Sequence, residues 1–134
     1  MTSITKNRPF QRWAPGAIPV PLAAGVEVFY GTAVALNSEG YGVPGAELPD
    51  LTFAGAALDY MDNGSGADGE RTVLVQRPDH LAIKWVNDGS ITQANLLKTA
   101  YILDNQTVTA TDGGGTRSPM GTIVRIETDG VWVQ

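Results

Sequence analysis

Residues 99–134, TAYILDNQTVTATDGGGTRSPMGTIVRIETDGVWVQ, are the stretch that decides the fold class. Short runs rich in Val, Ile and Thr alternate with turn residues, a pattern that is typical of β-strands. Asp104-Asn105 and Asp129-Gly130 each separate two such runs, and both pairs favour tight hairpin turns because Asp, Asn and Gly tolerate a positive φ. The stretch holds no Cys or His. We therefore predict a structural β-module here rather than a catalytic one.

The same pattern extends over most of the chain, and its 16 Gly and 8 Pro favour a turn-rich fold. The predicted fold class is all-β: a small β-barrel or sandwich with short hairpins, an extended N-terminal arm and at most one short helix. The helical turn is expected at residues 91–97, capped by Ser90. A loop is expected at residues 37–49, and residues 26–36 are predicted to form one strand or a pair of strands broken at Gly31-Thr32. Further strands are predicted at residues 51–61, 70–77, 81–86, 99–103, 107–111, 120–127 and 131–134. A third pair of turn-linked runs, 70–77 and 81–86, is also predicted to form a hairpin.

The chain divides by composition into residues 1–24 and residues 25–134. The first part contains four prolines, which predict an extended arm because proline disfavours helix. Its only charged residues are Lys6, Arg8 and Arg12, so the arm carries +3, whereas the β-rich remainder carries −8, which together give the net charge of −5. A basic arm on an acidic body suggests contact with an acidic surface, such as a neighbouring copy, and Lys6, Arg8, Phe10, Arg12 and Trp13 are the predicted residues for contact between subunits or with the partner described below. Removal of residues 1–24 is expected to leave a folded body.

Composition also excludes several classes of site. The chain has no Cys, so disulfides, thiolate metal sites and Cys nucleophiles are excluded. The acidic body argues against nucleic-acid binding. No signal peptide is recognisable, and no apolar run approaches the ~20 residues that span a bilayer. We therefore expect neither nucleic acid nor membrane as a partner.

A few residues have side chains that could carry chemistry. The only histidine, His80, follows Asp79 in a predicted Pro-Asp turn, where a solvated histidine is common. The loop Asp112-Gly-Gly-Gly-Thr-Arg117 resembles a phosphate-binding loop, but it leads into a predicted strand instead of a helix. A flexible hairpin loop is the better interpretation of it.

Two further groups have both a binding and a structural interpretation. An acidic, Gly-rich stretch is expected to be a solvated turn, with a bound cation as the alternative; it contains Asp59, Asp62, Asn63, Asp68 and Glu70. Trp85 and Trp132 are expected to pack in the core. No catalytic, cofactor-binding or metal-ligating residue is therefore predicted, and no enzymatic activity is expected.

The end of the chain resembles the C-terminal part of the head decoration (capsid cement) proteins of tailed phages and prophages. The residues that carry the resemblance are Tyr101, Asp104, Gln106, Thr107, Val108, residues 113–117, Gly121, Val131, Trp132 and Val133. The resemblance implies a small β-barrel-like protein, made in the host cytoplasm, that binds the outer surface of the expanded capsid in the virion. It implies the major capsid protein and further copies of the chain as partners, in trimers at three-fold and quasi-three-fold positions, with an arm that reaches onto the capsid.

Three other functions remain open from the sequence. Another virion component, such as a tail, head-completion or baseplate protein, could use the same β-rich body. A small hydrolase would depend on Asp112, Arg117 and His80. A glycan-binding β-domain would use Trp85 or Trp132 as a stacking platform.

Overall fold

The computed structural model describes residues 3, 5–8, 11, 13 and 15–134, and they form an all-β fold, as predicted. The first seven strands are β1 Ala17–Pro21, β2 Glu27–Val28, β3 Ala33–Leu36, β4 Gly42–Pro44, β5 Thr52–Ala57, β6 Met61–Asp62 and β7 Thr72–Gln76. The last five are β8 Ile83–Asn87, β9 Thr99–Ile102, β10 Thr107–Thr109, β11 Pro119–Glu127 and β12 Gly130–Val133. A single 3-10 turn, Gln93–Asn95, lies between β8 and β9.

The N-terminal half forms an antiparallel five-stranded sheet in the order β1-β7-β5-β3-β4. The sheet curls strongly, because Leu22, directly after β1, makes a parallel bridge to Gly42 of β4 at the opposite edge. Its concave side holds an apolar cluster, to which the short β2-β6 pair contributes Val28. The other buried members of this cluster are Val20, Leu22, Val34, Ala54, Ala57, Val73 and Val75.

The C-terminal half forms a closed barrel in the order β10-β8-β12-β11-β9. All of its pairs are antiparallel except β8 with β10. The barrel encloses the second apolar cluster, which includes Trp85, Ile102, Val108, Ile123 and Val131. The predicted hairpins around Asp104-Asn105 and Asp129-Gly130 are both present, as β9-β10 and β11-β12.

The sheet and the barrel pack against each other through small residues. Ala33, Ala35 and Ala56 of the sheet belong to the barrel's buried cluster, so the two halves share one core. Phe53 of β5 meets Trp85 of β8 edge to face, with ring centroids 6.0 Å apart. Alanine side chains allow the two backbones to approach closely, and the two aromatic rings fill the remaining space.

The structure differs from the sequence prediction in the pairing of strands. β7 and β8 do not form a hairpin: β7 pairs with β1 and β5, whereas β8 pairs with β10 and β12. Residues 77–82 carry the chain from the sheet to the barrel. β4 lies within the predicted loop 37–49, and the 3-10 turn is capped by Thr92 instead of Ser90. Alternating hydrophobicity identifies a strand but does not specify its partner.

The predicted arm also ends earlier than residue 24. β1 pairs with β7 along its whole length, and both Val20 and Leu22 are buried. Pro19 and Pro21 fit this strand because β1 lies at the edge of the sheet, where a missing N–H is tolerated. The folded body therefore begins at residue 17 and not at residue 25, so removal of residues 1–24 would also remove a strand of the body.

Candidate functional site

The described residues of the arm are exposed to solvent. Lys6, Arg8 and Trp13 are among them, and the side chain of Trp13 is 69% exposed. Phe10 and Arg12, the other two predicted contact residues, lie outside the described residues. The arm joins the body at Gly16, whose carbonyl oxygen accepts hydrogen bonds from the Arg77 N–H (2.9 Å) and from Gln76 Nε2 (2.7 Å). These bonds fix the point at which the arm leaves the body.

Of the three residues of the hydrolase alternative, Asp112 and Arg117 share a loop, and His80 lies in a pocket that neither of them lines. His80 lines a pocket of about 310 Å³ at the root of the arm, with Pro15, Gly16, Gln76, Arg77, Asp79 and Leu81. Neither Asp112 nor Arg117 lines this pocket. Arg117 is instead paired with Glu47, with Nε 2.7 Å from Oε2, and also donates to the carbonyl oxygen of Thr111. Its guanidinium is therefore held by the protein and is not directed at an anion in the glycine loop.

The acidic stretch at residues 59–70 is a network of turns in which the carboxylates accept hydrogen bonds from backbone N–H groups. Asp68 Oδ1 accepts from Ala24, Asp62 Oδ1 from Gly64, and Glu70 Oε2 from Ala67, at 2.7–2.8 Å. Within the part of the chain that the structure describes, no three His, Cys, Asp or Glu side chains are grouped so that they could hold a metal ion. Backbone N–H groups of the stretch itself and of Ala24 therefore hold these carboxylates in place.

Asn63 lies at the centre of this network and is 1% exposed. Its Nδ2 donates to the carbonyl oxygens of Leu22, Ala23 and Ala67, which ties the 62–70 turn to the end of β1. Buried polar groups are stable only when they are hydrogen-bonded. The Nδ2 group of Asn63 therefore has a structural role, whereas its Oδ1 is buried without a hydrogen-bond partner among the described residues.

The two tryptophans of the body have different environments. Trp85 is 4% exposed and belongs to the barrel core, so its ring is not available as a platform for a glycan. Trp132 is partly exposed, but Lys84 Nζ lies 5.8 Å from the centre of its ring, and its indole N–H donates to Glu127. Lys84 also pairs with Asp129 at 2.7 Å, which lowers the pKa of Asp129 and raises that of Lys84.

An exposed apolar surface, not predicted from the sequence, lies at one end of the five-stranded sheet. We call it the aromatic patch and define it as Phe29, Tyr30, Leu58, Tyr60 and Leu74, all of them exposed. Phe29 and Tyr60 are in ring contact, with centroids 5.5 Å apart. Backbone bonds from Gly31 to Ala57 and from Leu58 to Leu74 bring the three segments together. Large exposed apolar patches rimmed by polar residues are typical of interaction sites.

Carboxylates surround the aromatic patch. The Tyr60 hydroxyl donates to Glu27, and this hydrogen bond, with smaller contributions from desolvation and from the charges of Glu27 and Asp62, raises the pKa of Tyr60 to about 12. Asp59 caps the turn by accepting from the Tyr60 N–H at 2.8 Å. The patch therefore combines apolar rings with a rim of negative charge.

The segment that supplies most of the patch contains no basic residue. Residues 13–70 hold eight acidic residues and no Lys, Arg or His, whereas residues 71–134 hold six acidic and six basic ones. The net negative charge of the body therefore resides in residues 13–70, which supply four of the five patch residues. The sequence feature that could have indicated the patch is the pair Phe29-Tyr30 together with Asp59-Tyr60 in a segment without basic residues. It does not by itself predict an exposed surface, because tyrosines in a β-protein are more often packed along a barrel wall.

No helix among the described residues is long and apolar enough to cross a membrane. The chain matches no protein-family model, no curated protein and no solved structure.

Proposed function

We propose that this chain is a decoration protein that binds the outer surface of the expanded head of a tailed phage and stabilises it without catalysing a reaction. The observation that carries the proposal is the presence of two separate contact surfaces on one small β-body. One is the exposed basic arm, which carries Lys6, Arg8 and Trp13, and the other is the aromatic patch with its acidic rim. A protein with two such surfaces can bridge neighbouring units of a shell.

The physical requirements of shell reinforcement agree with this architecture. A cement protein has to be stiff and has to contact more than one neighbour, and the shared core of sheet and barrel provides a stiff body. Each contact can be weak, because copies joined in a trimer gain avidity from three tethered contacts. Cyclic symmetry matches such a trimer to the three-fold and quasi-three-fold positions of an icosahedral shell.

The resemblance to decoration proteins also supports the proposal. The residues that carry it fall within the closed barrel and its loops: Tyr101 in β9, Val108 in β10, Gly121 in β11, and residues 131–133 in β12. Val108 and Val131 are fully buried, and Trp132 is partly exposed. The resemblance thus follows residues that build one structural unit.

The copy number of this chain in particles from its source tests the proposal. Quantitative mass spectrometry of purified virions should find hundreds of copies, in a simple ratio to the major capsid protein. A handful of copies would favour the other virion component, located in the tail or at the portal vertex. Absence from the particle would reject both.

A further inference from the structure

We propose that the aromatic patch of one copy binds the N-terminal arm of a second copy. The inference rests on the self-association included in the proposed function, and it names the two surfaces that meet. The patch supplies Phe29, Tyr30, Leu58, Tyr60 and Leu74. The arm supplies the basic and aromatic residues within residues 6–13.

The charges of the two surfaces are complementary. The arm carries +3 and no acidic residue, whereas residues 13–70 carry −8 and no basic residue. Glu27, Asp59 and Asp62 lie around Tyr60 at the rim of the patch. Opposite charges at a rim steer association and fix the register of the partner more than they add affinity. The acidic rim therefore favours the binding of a basic segment to this patch.

The apolar parts of the two surfaces also match. Phe10 and Trp13 alternate along the arm with Arg8 and Arg12. Aromatic rings packed against Phe29 and Tyr60 would bury large apolar areas, and an arginine above an exposed ring adds a cation–π contact. Trp, Tyr and Arg are the residues that most often dominate binding energy at protein interfaces. The arm and the patch together carry all three types.

The partner is a second copy because aromatic rings of both surfaces stay exposed within one chain. Trp13 is 69% exposed and Tyr30 is 72% exposed in the same chain. The arm and the patch are different surfaces, so their contact is of the head-to-tail kind, which closes into a ring when the rotation between copies permits. A closed ring of three copies would satisfy every arm and every patch.

The absence of cysteine from the chain allows a direct test with the purified full-length protein. Gln11→Cys places a thiol in the arm between Phe10 and Trp13, and Leu58→Cys places one in the patch without removing a ring or a carboxylate. The control is Ser38→Cys, an exposed position in the turn after Leu36, at the opposite end of β3 from the patch. The arm variant is mixed with either partner variant under mild oxidation.

We expect the Gln11→Cys and Leu58→Cys mixture to form disulfide-linked heterodimers at least ten times faster than the Gln11→Cys and Ser38→Cys mixture. Equal rates would overturn the proposal. Crosslinking confined to single chains of the double variant Gln11→Cys/Leu58→Cys, at every protein concentration, would also overturn it by showing that each arm binds its own patch. Because no capsid is present, failure here is distinct from failure of the shell-binding proposal.

A second measurement compares two exposed leucines. Leu74→Ser lies in the patch, and Leu48→Ser lies outside it, with similar exposure. Light scattering after size-exclusion chromatography should show a loss of oligomer for Leu74→Ser at protein concentrations where Leu48→Ser and the unaltered chain retain it. Equal oligomer content for all three proteins would contradict the assignment of the patch.

Discussion

Gly55 of β5 packs directly against the backbone of Gln76 in β7. A Cβ atom at residue 55 would lie 1.9 Å from the Gln76 carbonyl oxygen, and Gly55 has a φ of +148°, a conformation open almost only to glycine. The close approach occurs near the Ala56–Gln76 pair, where β5 joins β7 and thereby the arm-bearing strand β1. A glycine at residue 55 is therefore required for β7, and with it the edge strand β1, to pair with β5.

Gly55→Ala should be one of the most destabilising single substitutions in the chain. The added methyl group clashes with a backbone atom and strains φ, so we expect a loss of more than about 4 kcal/mol in the free energy of unfolding. Gly89→Ala isolates the strain, because residue 89 has a φ of +101° but open space around it, and should cost about 1–3 kcal/mol. Gly16→Ala, with neither feature, should change stability by less than about 0.5 kcal/mol. Urea denaturation of the three variants measures the order, and equal losses would contradict this account.

Asn63 should be replaceable by neither Asp nor Ala, and Asp should be worse at neutral pH. Its Nδ2 faces three carbonyl oxygens, so a carboxylate there replaces a donor by a buried negative charge. We expect Asn63→Ala to cost about 1–3 kcal/mol and Asn63→Asp more.

The cost of Asn63→Asp should depend on pH. The buried carboxyl group would have a raised pKa in the folded state, so its destabilisation is smallest below the ordinary Asp value of about 3.9 and grows as pH rises above it. Thermal unfolding at several pH values compares Asn63→Asp with Asn63→Ala. A difference between the two variants that does not change with pH would contradict the predicted burial of the charge.

Tyr60 should ionise later than an ordinary tyrosine, with a pKa of about 12. Its hydroxyl donates to Glu27, and that bond is lost when the phenol ionises. A raised folded pKa means that the stabilisation is fully present below the unfolded value of 10.0 and is lost as pH rises through about 12. Subtracting the ultraviolet pH titration of Tyr60→Phe from that of the unaltered chain gives the ionisation curve of Tyr60 alone. Glu27→Gln should move its midpoint down towards 10, and an unchanged midpoint would show that the bond does not form.

Two truncations should separate the arm from the body. A chain that begins at Pro15 retains β1 and should unfold at nearly the same temperature as the full chain. A chain that begins at Gly25 lacks β1, Val20 and Leu22, and each buried side chain contributes about 1.5–3 kcal/mol. Because domains are stable by only about 5–15 kcal/mol, we expect this second truncation to fail to fold cooperatively. Cooperative unfolding of both proteins in circular dichroism would contradict the placement of β1 in the body.

Most strands and the two hairpins of the barrel could be derived from the sequence because their signals are local. Asp104-Asn105 connects β9 and β10, and Asp129-Gly130 lies at the junction of β11 and β12. The role of Gly130 nevertheless differs from the expected one. Its φ is not positive, and a Cβ there would lie 2.9 Å from the Trp85 carbonyl oxygen. Glycine is needed at this position for close strand packing instead of for the turn.

The pairing of strands and the candidate surface depend on contacts that are distant in the sequence. β1 joins β7 across 50 residues or more, and the separation of β7 from β8 into two sheets leaves no mark in their alternating patterns. The aromatic patch brings together Tyr30, Leu58 and Leu74 from three segments. Each of these residues alone has an ordinary packing interpretation, so only the assembled fold shows that they share an exposed face.

The most direct test of the proposed function is to add the purified chain to expanded heads from its source that lack it. Sedimentation of the heads should carry down the full chain until hundreds of sites are saturated, in a simple ratio to the major capsid protein. The chain that begins at Pro15 should bind at least ten times more weakly, because without the arm the copies do not join and the avidity of a trimer is lost. Failure of the folded full chain to bind the heads, or saturation at a handful of sites, would contradict the account.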